Sequence, residues 1–148
     1  MQRIAQGNRL RTGRFSESNR FCLITAVCHQ RNPVFRNVHR GRKFVHAISK
    51  VEQAKTLCYV VMPDHVHWLL QLEEGADLSH SVQKAKSLTS KLLRQLWDGP
   101  VWQRGFHDRA LCKEEDVQAV ARYVVANPLR AGLVSSLRDY PLWDAIWL

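Results

Sequence analysis

The chain has 148 residues, a length typical of one domain. Hydrophobic residues make up 45%, enough for a core and too many for a disordered tail; no apolar run reaches the ~18 residues of a membrane helix, and the polar, Arg-bearing N-terminus lacks a signal peptide's apolar stretch. The net charge of +9, from 22 Lys and Arg against 13 Asp and Glu, points to a polyphosphate partner held in a salt-dependent way, nucleic acid ahead of an anionic membrane.

The charge is unevenly spread. Residues 1–20 hold five Arg and one Glu, and Arg9, Arg11 and Arg14 make a basic arm of the kind that reaches into a groove. FCLITAVC (21–28) is apolar, rich in β-formers and followed by Asn32-Pro33, so it reads as a strand. Residues 38–54 carry a weak helical pattern. Two apolar runs in 57–72 flank Pro63-Asp64, which is a hairpin signal. Residues 77–97 have apolar positions at 78, 82, 85, 88, 92 and 96, the spacing of an amphipathic helix, with Asp77 or Ser79 as its cap. On that helix Lys84, Lys91 and Arg94 fall away from the Leu88/Leu92/Leu96 stripe. They either track a nucleic-acid backbone or form a solvated face. VWQRGFHDRAL (101–111) reads as a strand. Residues 113–127 read as a helix, with acids in the first turn where the dipole favours them. Trp143 and Trp147 alternate with Leu142 and Ile146 and are expected to cap the core. Cys22, Cys28, Cys58 and Cys112 contain no CxxC pair and read as reduced thiols. The order βαββαβ, followed by a further helix, suits an α+β fold in which helices pack on an antiparallel sheet. One domain is expected over 1–148, with 1–20 as the basic arm and 135–148 as a C-terminal extension.

Two short motifs carry chemistry. In MPDHVHW (62–68), His65 and His67 are two apart on a strand, so they project to one face. Such a pair can share a metal ion, or hold a phosphate when protonated; two histidines on a half-buried strand can also be purely structural. In YVVANPLRAGLV (123–134), Tyr123 and Asn127 are one helical turn apart on the flank of a Val117/Val120/Ala121/Val124 stripe. Pro128 disfavours helix at Asn127, so a break is expected there that frees the Asn127 side chain to turn towards a site. A core tyrosine and a plain helix stop fit the same residues.

Taken together, MPDHVHWLLQL, the basic amphipathic helix, VWQRGFHDRAL and YVVANPLRAGLV resemble the REP-associated tyrosine transposases. These are single-tyrosine, single-strand DNA transposases of the HUH class, and the resemblance spans residues 14 to 134. It implies a ferredoxin-like α+β fold, with His65 and His67 as metal ligands on a central strand and Tyr123 as nucleophile on a following helix. Asn127 then completes the metal site, the ion is Mg2+ or Mn2+, and Arg130 positions substrate. The implied partner is single-stranded or hairpin DNA of the repetitive extragenic palindrome type, in a bacterial cytoplasm near the nucleoid. The implied reaction is cleavage and rejoining through a 5′-phosphotyrosine link. A monomer is favoured, with a dimer as the alternative, because no heptad or long exposed apolar edge is visible. The rival reading is a non-catalytic hairpin DNA- or RNA-binding protein on the same fold. Loss of either histidine or of Tyr123 would mark it, and all three are present.

Overall fold

The structure, a computed structural model, describes residues 3–4, 20–111 and 114–147. Arg9, Arg11, Arg14 and Cys112 lie outside the described residues. In chain order the elements are β1 (Arg3–Ile4), β2 (Arg20–Val27), α1 (Val38–Ser49), β3 (Ala54–Met62), β4 (His65–Leu72), α2 (Leu78–Leu92), β5 (His107–Leu111), α3 (Glu114–Val125), α4 (Asn127–Arg130) and β6 (Trp143–Ala145). The strands form one sheet in the order β1-β5-β2-β4-β3-β6, and every pairing is antiparallel. The architecture is therefore the α+β one expected from the element order. β1 and β6, the two short edge strands, are additions that the hydrophobic pattern does not announce.

Helices cover both faces of the sheet, which is why β2 reads as a continuous apolar run with no polar alternation. On one face Cys22, Ile24, Val66, Trp68 and Leu70 pack against Phe44 and Ile48 of α1 and Leu78 and Val82 of α2. On the other, Leu23, Cys58, Val60 and Leu69 pack against Val117, Ala121 and Val124 of α3. The β3–β4 hairpin turns at Pro63-Asp64, pairing Met62 with His65. Cys22, Cys28 and Cys58 are buried, and burial pushes the Cys28 and Cys58 thiols up to about 12, so those two behave as small hydrophobes. No helix among the described residues is long and apolar enough to cross a membrane.

Two expectations are corrected. The stripe on α2 does not continue through Leu88, Leu92 and Leu96. Leu78, Val82, Ala85, Thr89 and Leu93 are buried, and Leu96 is exposed. The extended segment 101–111 is a strand only from His107; before that, the chain is a loop with a single bridge from Trp102 to Cys28. Gly105, at φ 77°, breaks the extended geometry just before His107, and Lys86 ties the loop down, its Nζ donating to the carbonyls of Gln103 at 3.0 Å and Gly105 at 2.7 Å. The Trp102 indole in turn donates to the Lys86 carbonyl at 3.1 Å. Burial pushes the Lys86 ammonium down to about 8. Lys86 is thus a staple for the loop, not part of a basic surface. Lys86→Met should keep the fold and lower the unfolding free energy by about 2 kcal/mol, the scale of losing buried charge-assisted bonds. Guanidinium denaturation should show this as a lower midpoint at unchanged slope.

Candidate active site

His65 and His67 open the central strand β4 and lie on the sheet face covered by α3. Their register partners on that face are Val27 and Thr25 of β2 and Met62 and Val60 of β3. The ring centroids are 5.0 Å apart, with planes at 84°. Each ring is fixed through Nδ1. Asp64 Oδ1 lies 2.6 Å from His65 Nδ1, and Thr25 Oγ1 lies 2.9 Å from His67 Nδ1. Asp64 also accepts from Arg31 at 3.3 Å. Burial alone would raise the Asp64 carboxyl, but His65 and Arg31 together hold it below its ordinary value, so it is an ionised acceptor for the His65 N–H. With both Nδ1 atoms engaged, the Nε2 atoms are the ring nitrogens left for a ligand; among the described residues neither makes a hydrogen bond. This is how metal-binding imidazoles are oriented by a second layer of acceptors. Thr25 and Asp64 hold the two rings and lie outside the His-x-His pattern itself. Asp64, adjacent to His65, could have been read from sequence. Thr25 depends on the β2–β4 register, which a single sequence does not give.

Burial, with smaller contributions from the charges of His65 and Arg130, drives the His67 imidazole down to about 3 from its ordinary 6.5. The ring is therefore neutral, as a ligand must be. The same shift sets a pH dependence. Below pH 6.5 the unfolded chain takes up a proton that the folded one refuses, so stability contributed by neutral His67 is present above that pH and lost as pH falls towards 3. At pH 5 the metal-free protein should have lost about 2 kcal/mol relative to pH 7. His67→Gln should remove this loss, which urea titrations in EDTA at the two pH values would read.

Tyr123 is 66% exposed near the end of α3. The helix breaks where Pro128 predicts: Ala126 ends it, and Asn127–Arg130 form a separate short turn of helix with Pro128 buried. The break does not release the Asn127 side chain. Its Nδ2 donates to Val124 O at 2.9 Å, and its Oδ1 accepts from Arg130 Nη2 at 2.9 Å. The Arg130 guanidinium also sits 3.7 Å from the centre of the Tyr123 ring. The structure thus brings together His65 with His67, and Tyr123 with Asn127 and Arg130. α3 and α4 both pack on β3, whose Val60 and Met62 flank the histidines. Among the described residues, no three His, Cys, Asp or Glu side chains converge on one point. Among the described residues a third protein ligand would have to come from another donor type, and the Asn127 side-chain carbonyl is of that type. His107 shares a cross-strand row with Thr25 and His67, and Asp108 points to the opposite face with Ile24.

The basic residues of α2 separate. Lys91 and Arg94 line an open groove of about 850 Å³ between α2 and the 98–105 loop, together with Arg104, Trp97 and Trp102. Lys84 is exposed and does not line that groove. The groove wall is bonded to the active-face strands, because Gln103 N donates to Val27 O at 2.9 Å and Val27 is the partner of His65.

Residues 20–127 match the family described as Transposase IS200 like. The chain is 27% identical to the REP-associated tyrosine transposase of Escherichia coli K12, over 65% of this chain and 59% of that protein. It is also 27% identical to a Haemophilus influenzae protein provisionally given the same name, over 59% and 56%. The chain spans less than two thirds of the length of these curated relatives. A solved REP-associated tyrosine transposase bound to a REP hairpin superposes with a TM-score of 0.70 at 22% identity, covering 86% of this chain and 76% of the other; this likeness establishes the shared HUH-type fold. The family match runs from the first long strand, through the His-x-His strand, to the Tyr-bearing helix, and on that basis the chain belongs to the IS200-like transposase family.

Proposed function

We propose that this protein cleaves and rejoins single-stranded, hairpin-forming DNA, with Tyr123 as nucleophile and His65 and His67 as ligands of Mg2+ or Mn2+. The observation that carries this reading is the orientation of the two imidazoles. Both Nδ1 atoms are engaged by Asp64 and Thr25, so both Nε2 atoms are left to one ligand, on the sheet face that the tyrosine helix covers.

The chemistry suits these residues. Tyr123 Oη attacks phosphorus, the P–O3′ bond breaks, and the upstream strand leaves with a 3′-OH while the downstream strand stays on Tyr123 through its 5′-phosphate. The phenolic proton passes to a base and the leaving oxygen takes one up. Because the link is still an ester of phosphate, a 3′-OH can reverse the step and join strands without ATP. The family implies a divalent metal, and the residues fit one: two imidazoles, one of them backed by a carboxylate, would leave its charge intact. Bound there, it would draw charge from a non-bridging phosphate oxygen and orient the scissile group. Imidazole alone favours Zn2+ or Cu2+, so tightest binding in a tube would not identify the working ion. Lys91 and Arg94 would hold the DNA backbone in the groove beside α2.

The relatives' name and the hairpin in the solved neighbour support a repeat hairpin as substrate. The test uses one hairpin labelled at either end, with Mn2+ or Mg2+. Only the 3′-labelled fragment should remain on the protein in denaturant, and the 5′-labelled fragment should run free. Cleavage with no adduct would make water the nucleophile and end this reading.

A further inference from the structure

We propose that Arg130 is a latch between substrate and metal. Without DNA its guanidinium holds the Asn127 carbonyl and the Tyr123 ring. When the scissile phosphate draws the guanidinium away, the Asn127 oxygen becomes available to the divalent ion. The inference rests on the cleavage reading above and adds an order of events to it.

The geometry is specific. Asn127 cannot turn freely, since its amide donates to Val124 O at 2.9 Å while its Oδ1 accepts from Arg130 at 2.9 Å. A cation at hydrogen-bond distance from that oxygen opposes arrival of a second cation on it. The same guanidinium covers the Tyr123 ring at 3.7 Å, so one group restrains both residues of the tyrosine motif. Both Tyr123 and Arg130 are exposed, and moving the guanidinium therefore disturbs no core packing. What the latch holds at rest is a neutral amide and the face of an aromatic ring. A phosphodiester offers instead a charged, forked acceptor for which guanidinium geometry is better matched. α4 packs on β3, the strand paired with the histidine strand, and the Arg130 charge acts on the His67 ring. Two bound partners that each favour the unlatched state must strengthen one another's binding.

The test needs neither cleavage nor DNA for its first arm. Mn2+ affinity is measured by electron paramagnetic resonance of the free ion in wild type, Arg130→Ala, Asn127→Ala and the double variant, each checked for its circular dichroism spectrum. Arg130→Ala should tighten Mn2+ about 10-fold, within the usual range for coupled sites, and Asn127→Ala should remove that gain. A gain of the same size in the Asn127→Ala background would mean bare charge repulsion and overturn the latch. Unchanged or weaker Mn2+ binding in Arg130→Ala would overturn it too. Arg130→Gln, which keeps the aliphatic stem, replaces the alanine variant if that one fails to fold.

In the second arm Tyr123 is followed by 19F resonance of 3-fluorotyrosine-labelled protein in EDTA, the signal being assigned by Tyr123→Phe. Hairpin DNA should move it to where Arg130→Ala alone places it. A signal that stays at its DNA-free position on bound DNA would show that the guanidinium never leaves. A protein that passes both arms but cuts no DNA would refute the cleavage reading and leave the latch standing.

Discussion

Tyr123→Phe should bind hairpin DNA as wild type does and form no covalent adduct, a loss on the order of 10^5-fold or more, the scale of removing a covalent nucleophile. Few substitutions isolate one oxygen so well. The hydroxyl has no hydrogen-bond partner among the described residues, and the ring that Arg130 covers is kept, so the corner between α3 and α4 should be undisturbed. The other tyrosines are poorly placed to substitute. Burial raises Tyr59 above its ordinary value. Tyr140 is raised by burial as well, and its hydroxyl already donates to Val61 O at 2.5 Å. An adduct that survives Tyr123→Phe would nevertheless have to be on one of them, and peptide mapping of the labelled protein would find it.

His65→Ala and His67→Ala should each reduce cleavage to background while hairpin affinity stays within a few-fold, because backbone phosphate contacts dominate binding. The supporting residues make the test sharper. Asp64→Ala and Thr25→Val leave both Nε2 atoms in place but release the rings that present them. Each should weaken Mn2+ binding by about 10- to 100-fold, with cleavage recovering at high Mn2+. Full activity in the double histidine variant would dismiss the metal site. Loss of activity in Thr25→Val with no change in Mn2+ affinity would assign Thr25 to the fold.

The parts of this fold that local chemistry dictates were legible. β2, the Pro63-Asp64 hairpin and the break at Pro128 follow from β-branched runs and from proline, and they stand where the pattern puts them. Long-range terms account for the rest. Lys86 looks like one more surface cation until the carbonyls of Gln103 and Gly105 are seen around it, holding a loop where the sequence reads a strand from 101. Leu88, Leu92 and Leu96 fit a helical stripe by spacing, yet Thr89 and Leu93 take the buried positions. At the site, the His-x-His pair and the tyrosine turn are visible as motifs. Their orientation is not, because it depends on Thr25 across a strand pair and on Arg130 folding back on Asn127.

The two layers that sandwich the sheet differ in kind. Beneath α1 and α2 lie the interlocking rings of Phe35, Phe44 and Trp68, whereas the fully buried side chains between the sheet and α3 include no aromatic ring among the described residues. Less apolar area is removed from water there. Subglobal opening should therefore begin at α3 and α4, with amide hydrogens of Val124 and Val125 exchanging well before those of Phe44 or Val82. The helix that carries Tyr123 is then the one whose detachment leaves the larger core intact, and native-state hydrogen exchange would rank the two layers directly.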